Sequence, residues 1–166
     1  MSGASGVEPV TEARLGPWAW AVLGARLVLA GVWAWAGWAK IADADAAVRA
    51  VRAYDLFPEG VVKPIAWGLP FVELALAVLL LVGLACRPAA WVSAVLFLAF
   101  IAMIGSAWAR GLSIDCGCFG GGGASSGVDA AQYAQEIVRD LALLALAVFV
   151  ALGPVSPLSL DRRMST

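Results

Sequence analysis

The stretch Ala89-Ala90-Trp91-Val92-Ser93-Ala94-Val95-Leu96-Phe97-Leu98-Ala99-Phe100-Ile101-Ala102-Met103-Ile104-Gly105-Ser106-Ala107-Trp108 carries no charged side chain. At about 1.5 Å per residue, a helix of this length crosses a hydrocarbon core of about 30 Å. It therefore reads as a membrane span, and with no charge to hide it is the helix best suited to facing lipid. Pro88 just ahead of it fits a first helical turn, where a missing N–H costs nothing.

Working outward, three more apolar runs follow the same logic. The spans are expected at residues 18–38, 64–85, 89–109 and 132–152, within a membrane domain covering 17–153. Residues 1–16 and 154–166 read as disordered tails, small and polar at one end and proline-interrupted at the other. The first run carries Arg26 and is preceded by Glu8 and Glu12, not by a basic region, so it is expected to remain as a span and not to be cleaved as a signal peptide. Pro70 should kink the second span, and Glu73 follows within a turn. Between the first two spans, Asp43 is a candidate N-cap for a short helix with Ala47, Val48, Val51 and Tyr54 at helical spacing. The expected fold is all-α: a four-transmembrane-helix bundle with a short amphipathic helix in the first loop, lying on the membrane.

The totals agree. The 166 residues are 62% hydrophobic and 14% charged, and mean hydropathy is +0.87, outside the range of soluble domains. Scattered basic residues and a net charge of −1 give no footprint for nucleic acid. The absence of histidine excludes imidazole-ligated haem, histidine-containing zinc sites and histidine relays. Four spans place both termini on one side and the first and last loops on the other. Trp18, Trp20 and Trp91 fall on the terminal side, and Trp38, Trp67 and Trp108 on the loop side, as interfacial aromatics should. The cations flanking the two sides are evenly matched, so charge does not set orientation: Arg14, Arg87, Arg162 and Arg163 face Lys40, Arg49, Arg52, Lys63 and Arg110.

Chemistry concentrates in the last loop, Ile114-Asp115-Cys116-Gly117-Cys118-Phe119-Gly120, followed by three more glycines. A disulfide needs Cα atoms roughly 4.4–6.8 Å apart, within reach of Cys116 and Cys118 because Gly117 frees the backbone between them. So small a ring is expected to exchange readily, which suits a redox pair. Half of a Cu(I) or zinc site completed by a partner chain, and two thiols that merely cap a turn, stay open beside it. Cys86 ends the second span on the opposite side, a bilayer away, and reads as a small apolar residue.

Charges inside the spans form a second constellation. Along ideal helices, Arg139 lies roughly 10 Å and Glu73 roughly 14 Å in from the cysteine side, with Arg26 near mid-span. Such charges should face the bundle interior and pair. The expectation is a polar pocket under the cysteine loop in which Glu73, Glu136 and Asp140 neutralise Arg26 and Arg139. It serves either as a structural network or as a site for a quinone head group or a proton relay.

Several segments together resemble the MauE family of methylamine-utilisation membrane proteins, related to DoxX-like four-helix proteins. They are Arg26 in the first span, Ala36-Gly37-Trp38-Ala39-Lys40-Ile41, Leu69-Pro70-Phe71-Val72-Glu73-Leu74, Asp115-Cys116-Gly117-Cys118-Phe119-Gly120, and Arg139-Asp140, spread over about residues 25–152. The resemblance implies a four-span protein of the inner (plasma) membrane that assists maturation of methylamine dehydrogenase, whose small subunit is rich in disulfides, with a thioredoxin-like partner. Disulfide-forming membrane proteins with two cysteine pairs use one for the partner and one for a quinone; this chain has a single pair. The leading expectation is a membrane thiol–disulfide factor: a Cys116 or Cys118 thiolate exchanges with a partner's disulfide outside the cytoplasm and the other cysteine resolves the mixed disulfide. The termini are then cytoplasmic, since disulfides persist in oxidising compartments. A non-enzymatic assembly subunit, and a small-molecule or metal carrier, are the alternatives.

Overall fold

A computed structural model describes residues 17–115, 117, 123–124 and 129–153; both tails lie outside the described residues. Five helices account for nearly all of it: α1 Pro17–Ala42, α2 Ala44–Ala53, α3 Glu59–Val82, α4 Cys86–Ala109 and α5 Ala130–Leu152. A two-residue antiparallel ladder joins β1 Ile114–Asp115 to β2 Gly123–Ala124, pairing Ile114 with Ala124 and Asp115 with Gly123. The fold is all-α apart from that ladder. Three helices, α1, α3 and α4, are long and apolar enough to cross a membrane. The charges of α5 keep it out of that set, so the fourth expected crossing is not among them.

Local sequence explains the boundaries. Asp43 caps α2, its Oδ1 accepting from the Ala46 amide at 2.8 Å, and Asp129 caps α5, accepting from Gln132 N at 2.9 Å. The second span begins earlier than expected, at Glu59. Extended Pro58 sets up the first turn, and Glu59 places an anion at the positive end of the helix. Pro64 and Pro70 both lie inside α3. The helix stops at Gly83, whose left-handed φ of +79° lets its own N–H and that of Leu84 return to Leu79 O at 2.9 and 3.0 Å. Cys86, Arg87 and Pro88 then belong to the first turn of α4, not to a loop.

The four long helices form a ring in which α1 packs along α3 and α5, and α4 along α5 and α3. Its core is rich in alanine, including Ala30, Ala77, Ala90, Ala94 and Ala147, which lets backbones approach closely. The large side chain at the centre is Trp33, 1% exposed and stacked on Phe97 with ring centroids 4.7 Å apart. Its indole N–H donates to Ser93 Oγ at 2.9 Å, and Ser93 donates on to Ala89 O at 2.8 Å, so the one polar edge of the ring is satisfied in an apolar interior. Outside, large apolar side chains such as Trp35, Phe71, Val78, Leu81, Val95 and Leu98 are exposed. A surface this apolar needs lipid against it.

The amphipathic helix α2 does not lie apart from the bundle. Its Ala47 and Val48 pack on Val62 and Ala66 in the first turns of α3, beyond the end of α1. Arg52 clamps Glu59 with both nitrogens, at 2.6 and 2.9 Å, fixing the turn that follows.

The tightest helix contact is at Gly37. A Cβ there would lie 2.8 Å from Leu74 Cγ and 3.0 Å from Pro70 O, so only glycine admits this approach of α1 to α3. Gly37→Ala should destabilise the detergent-solubilised chain by about 1–3 kcal/mol through overpacking. Gly31→Ala, where a Cβ meets nothing within 4 Å, should leave it unchanged or gain up to about 1 kcal/mol of helix propensity. Unfolding midpoints of the two variants decide the matter; equal effects would refute the close approach.

Candidate functional site

One turn past Gly37 on α1, and one turn past Pro70 on α3, stand Lys40 and Glu73. The close approach brings them together: Lys40 Nζ donates to Glu73 Oε1 at 2.9 Å and Oε2 at 3.1 Å, with a longer contact to Ala36 O at 3.4 Å. Glu73 is fully buried and the Lys40 side chain is 9% exposed. Both carboxylate oxygens are engaged, which is the condition for a charged pair to survive desolvation.

Lys40 also borders an enclosed cavity of about 40 Å3, walled by Ala47, Ala50 and Tyr54 of the α2 segment, Ala66 and Leu69 of α3, and Phe100 and Met103 of α4. Val51 of α2 and Gly117 complete the lining. Gly117, which separates Cys116 from Cys118 in sequence, is buried and takes a left-handed φ of +68°. Cys116 and Cys118 themselves lie outside the described residues. The cavity has room for a water or so but not for a quinone ring.

Side chains from three elements hold the segment leading into that loop. The Tyr133 hydroxyl accepts from Ile114 N at 3.1 Å and lies 2.5 Å from Leu112 O and 3.3 Å from Ile114 O, while its ring stacks near Trp108 at 6.2 Å. Arg110 donates to Tyr54 O and to Ser106 O, tying the end of α4 to the end of α2. Gly123, at φ +113°, runs against Arg49 of α2.

The expected charge cluster is spread over two levels. Arg26 is 1% exposed, but its Nη1 points to Cys86 Sγ at 3.9 Å, beside the α3–α4 turn. It lies about 21 Å along α1 from Lys40, not in a common pocket beneath the loop. Glu73 is neutralised by Lys40 and not by an arginine. Arg139 Nε does pair with Asp140 Oδ1, at 2.9 Å, and Asp140 is 2% exposed, its Oδ2 lacking a hydrogen-bond partner among the described residues. Glu136 and Arg139 border a separate open pocket near the start of α5, with Asp129, Gln132 and Gln135. Two residues that sequence reasoning did not place in the site are Lys40, taken for an interfacial anchor, and Tyr133. For Lys40 a signal existed: a Gly-x-x-Lys step on one helix facing a Pro-x-x-Glu step on the next.

A family model for Methylamine utilisation protein MauE matches residues 18–153. The chain belongs to the MauE family. Among relatives, it is 33% identical over 129 residues to methylamine utilization protein MauE of Paracoccus denitrificans, covering 77% of this chain and 67% of that one. It is 33% identical over 144 residues to the protein of the same name from Methylophilus methylotrophus, covering 85% and 74%. No solved structure matches it. Membership of the MauE family and three spanning-length apolar helices make this a membrane protein.

Two measurements check the site. Lys40→Met alone should destabilise the bundle by about 3–5 kcal/mol by stranding the Glu73 carboxylate, whereas Lys40→Met with Glu73→Met should recover most of that loss. A double-mutant cycle on unfolding in mixed micelles reads the coupling, and additive losses would contradict the pair. Tyr133→Phe should cost about 1–3 kcal/mol and speed amide exchange at Ile114, as measured by hydrogen–deuterium exchange.

Proposed function

We propose that this MauE-family protein is a membrane thiol–disulfide factor that acts on an extracytoplasmic partner of a methylamine-utilisation system. The observation that carries the reading is the position of Gly117: the residue between the two cysteines is buried and lines the same cavity as Lys40, so the segment that bears the pair is seated on the bundle. The pair itself suggests the partner class, a disulfide-rich or thioredoxin-like protein outside the cytoplasm; the relatives' names add only methylamine utilisation. In the disulfide-forming direction, a partner thiolate attacks the Cys116–Cys118 bond and forms a mixed disulfide. The partner's second thiolate displaces it, leaving a partner disulfide and two reduced cysteines here. The reverse sequence reduces a partner disulfide and oxidises the pair.

In this reading α5 is the fourth crossing. Support comes from its packing along α1 and α4 and from exposed Val138, Leu141 and Leu152 on its outer face, while Asp140 turns inward. The cysteine loop then lies in the oxidising compartment, on the outer face of the inner membrane, and the termini lie in the cytoplasm.

The test is thiol trapping. In membranes containing the partner system, a mass-tagged alkylating reagent should find Cys116 and Cys118 partly oxidised, and fully reactive only after reduction. Cys116→Ser with Cys118→Ser at unchanged expression should abolish partner maturation. A pair that stays reduced throughout, with the double serine chain fully active, would leave assembly scaffolding as the function.

A further inference from the structure

A groove of about 300 Å3 runs along the outer side of the α1–α3 contact, lined by Lys40, Ile41 and Ala44 where α1 gives way to α2, and by Trp67, Pro70 and Phe71 of α3. Trp67 and Phe71 are 56% and 67% exposed and Ile41 is 41% exposed, so the groove opens on the flank of the bundle that lipid covers. Apart from Lys40, which is turned to Glu73, its walls are apolar or aromatic. The cation that an incoming molecule meets is Lys63. It is exposed, stands one turn before Trp67 on α3, and joins none of the ion pairs among the described residues; Glu59, one turn further back, is clamped by Arg52.

Residues 63, 67 and 71 follow one another down one face of α3 at steps of about 6 Å. Trp67, like exposed Trp38 and Trp108, belongs to the aromatic belt that marks the membrane–water interface. Lys63 therefore stands about 6 Å to the aqueous side of the belt, and Phe71 about 6 Å to the hydrocarbon side. Ammonium, indole and phenyl come in the order in which a phospholipid presents phosphate, ester-linked glycerol and acyl chain. Each layer suits its counterpart: the cation meets the phosphate, the indole N–H can donate to an ester carbonyl, and the groove takes the chain. A soluble anion would leave the groove empty, and a neutral apolar molecule would leave Lys63 unused.

We propose that this groove is a binding site for one phospholipid, its phosphate on Lys63 and an acyl chain filling the space from Ala44 to Phe71. The inference is independent of the thiol chemistry and of which side of the membrane the loop faces. It bears instead on the contact between α1 and α3. Lys40 lines the groove, so a seated chain keeps water from that side of the Lys40–Glu73 pair and strengthens the pair by lowering the dielectric around it.

The experiment titrates the full chain, stripped of lipid in dodecyl maltoside, with palmitoyl-oleoyl-phosphatidylglycerol and follows the adducts by native mass spectrometry. One adduct should form ahead of the rest and survive the highest collision energies. Ala44→Phe fills the groove from an exposed position and should weaken that adduct about tenfold or more. Lys63→Gln, which alters only an exposed head group, should weaken it about fivefold. Leu98→Phe, on the exposed face of α4, should bind like the wild type. The diacylglycerol with the same two chains, which lacks the phosphate, should bind about fivefold more weakly than the phospholipid and equally to the wild type and Lys63→Gln. Saturating phospholipid should raise the melting midpoint of the wild type by a few degrees and that of Ala44→Phe by less. Wild-type affinity in either groove variant, an equal loss in Leu98→Phe, or diacylglycerol binding as tight as that of the phospholipid overturns the site. A melting midpoint raised equally in the wild type and Ala44→Phe overturns the link to the Lys40–Glu73 pair.

Discussion

A lysine and a glutamate placed inside an apolar bundle are each costly to desolvate and are tolerable only together. Lys40 and Glu73 meet that condition because a glycine one turn earlier on α1 lets the helix sink against the backbone of α3 at Pro70. The contact works in both directions. Without Gly37 the helices would stand apart and strand two charges; without the pair, nothing polar would fix the sliding register of two smooth apolar rods. Once α1 and α3 are locked, the first turns of α3 extend past the end of α1, and α2 folds down to cover them. The cavity beside Lys40 is the space left between these three helices, α4 and Gly117.

The remaining charges show the same economy at other heights. Arg26 is held at the far end against the first residue of α4, and Arg139 with Asp140 on α5 forms a local pair between sequence neighbours. Polar anchoring is thus distributed along the bundle and not gathered into one network. Between the levels, the Trp33–Ser93 hydrogen bond and the stack on Phe97 join α1 to α4. Each long helix is therefore tied to a neighbour by at least one polar or aromatic contact inside a core that is otherwise alanine and leucine. That matters in lipid, where apolar burial alone does little to choose between helix pairings.

The loop bearing the two cysteines is glycine-rich, yet its approach is held at several points. Tyr133 reaches the backbone on both sides of Leu112 and Ile114, Arg110 ties α4 to the end of α2, and the short ladder brings Gly123 against Arg49. Gly117 is pressed onto the bundle and not left over solvent. Gly117 and Lys40 line the same cavity, so the one described residue between the cysteines is seated beside the α1–α3 contact.

The sequence by itself determined the helical class, the uncharged run that became α4, the cap at Asp43, the proline at the head of α4 and the family. These follow from local rules: hydrophobic length, cap chemistry and a cysteine–glycine–cysteine spacing that needs no tertiary context to be noticed. Helix ends shifted by a few residues where Pro58, at the start of α3, and Gly83, at its end, acted as boundary signals stronger than the apolar pattern. The partners of the buried charges were decided only by the tertiary structure. Depth along a helix can be counted from sequence, but which face meets which neighbour depends on crossing geometry, and that was set by Gly37 against Pro70. Hence Lys40, read as an interfacial anchor, became the partner of Glu73, and Arg26 went to the opposite end beside Cys86.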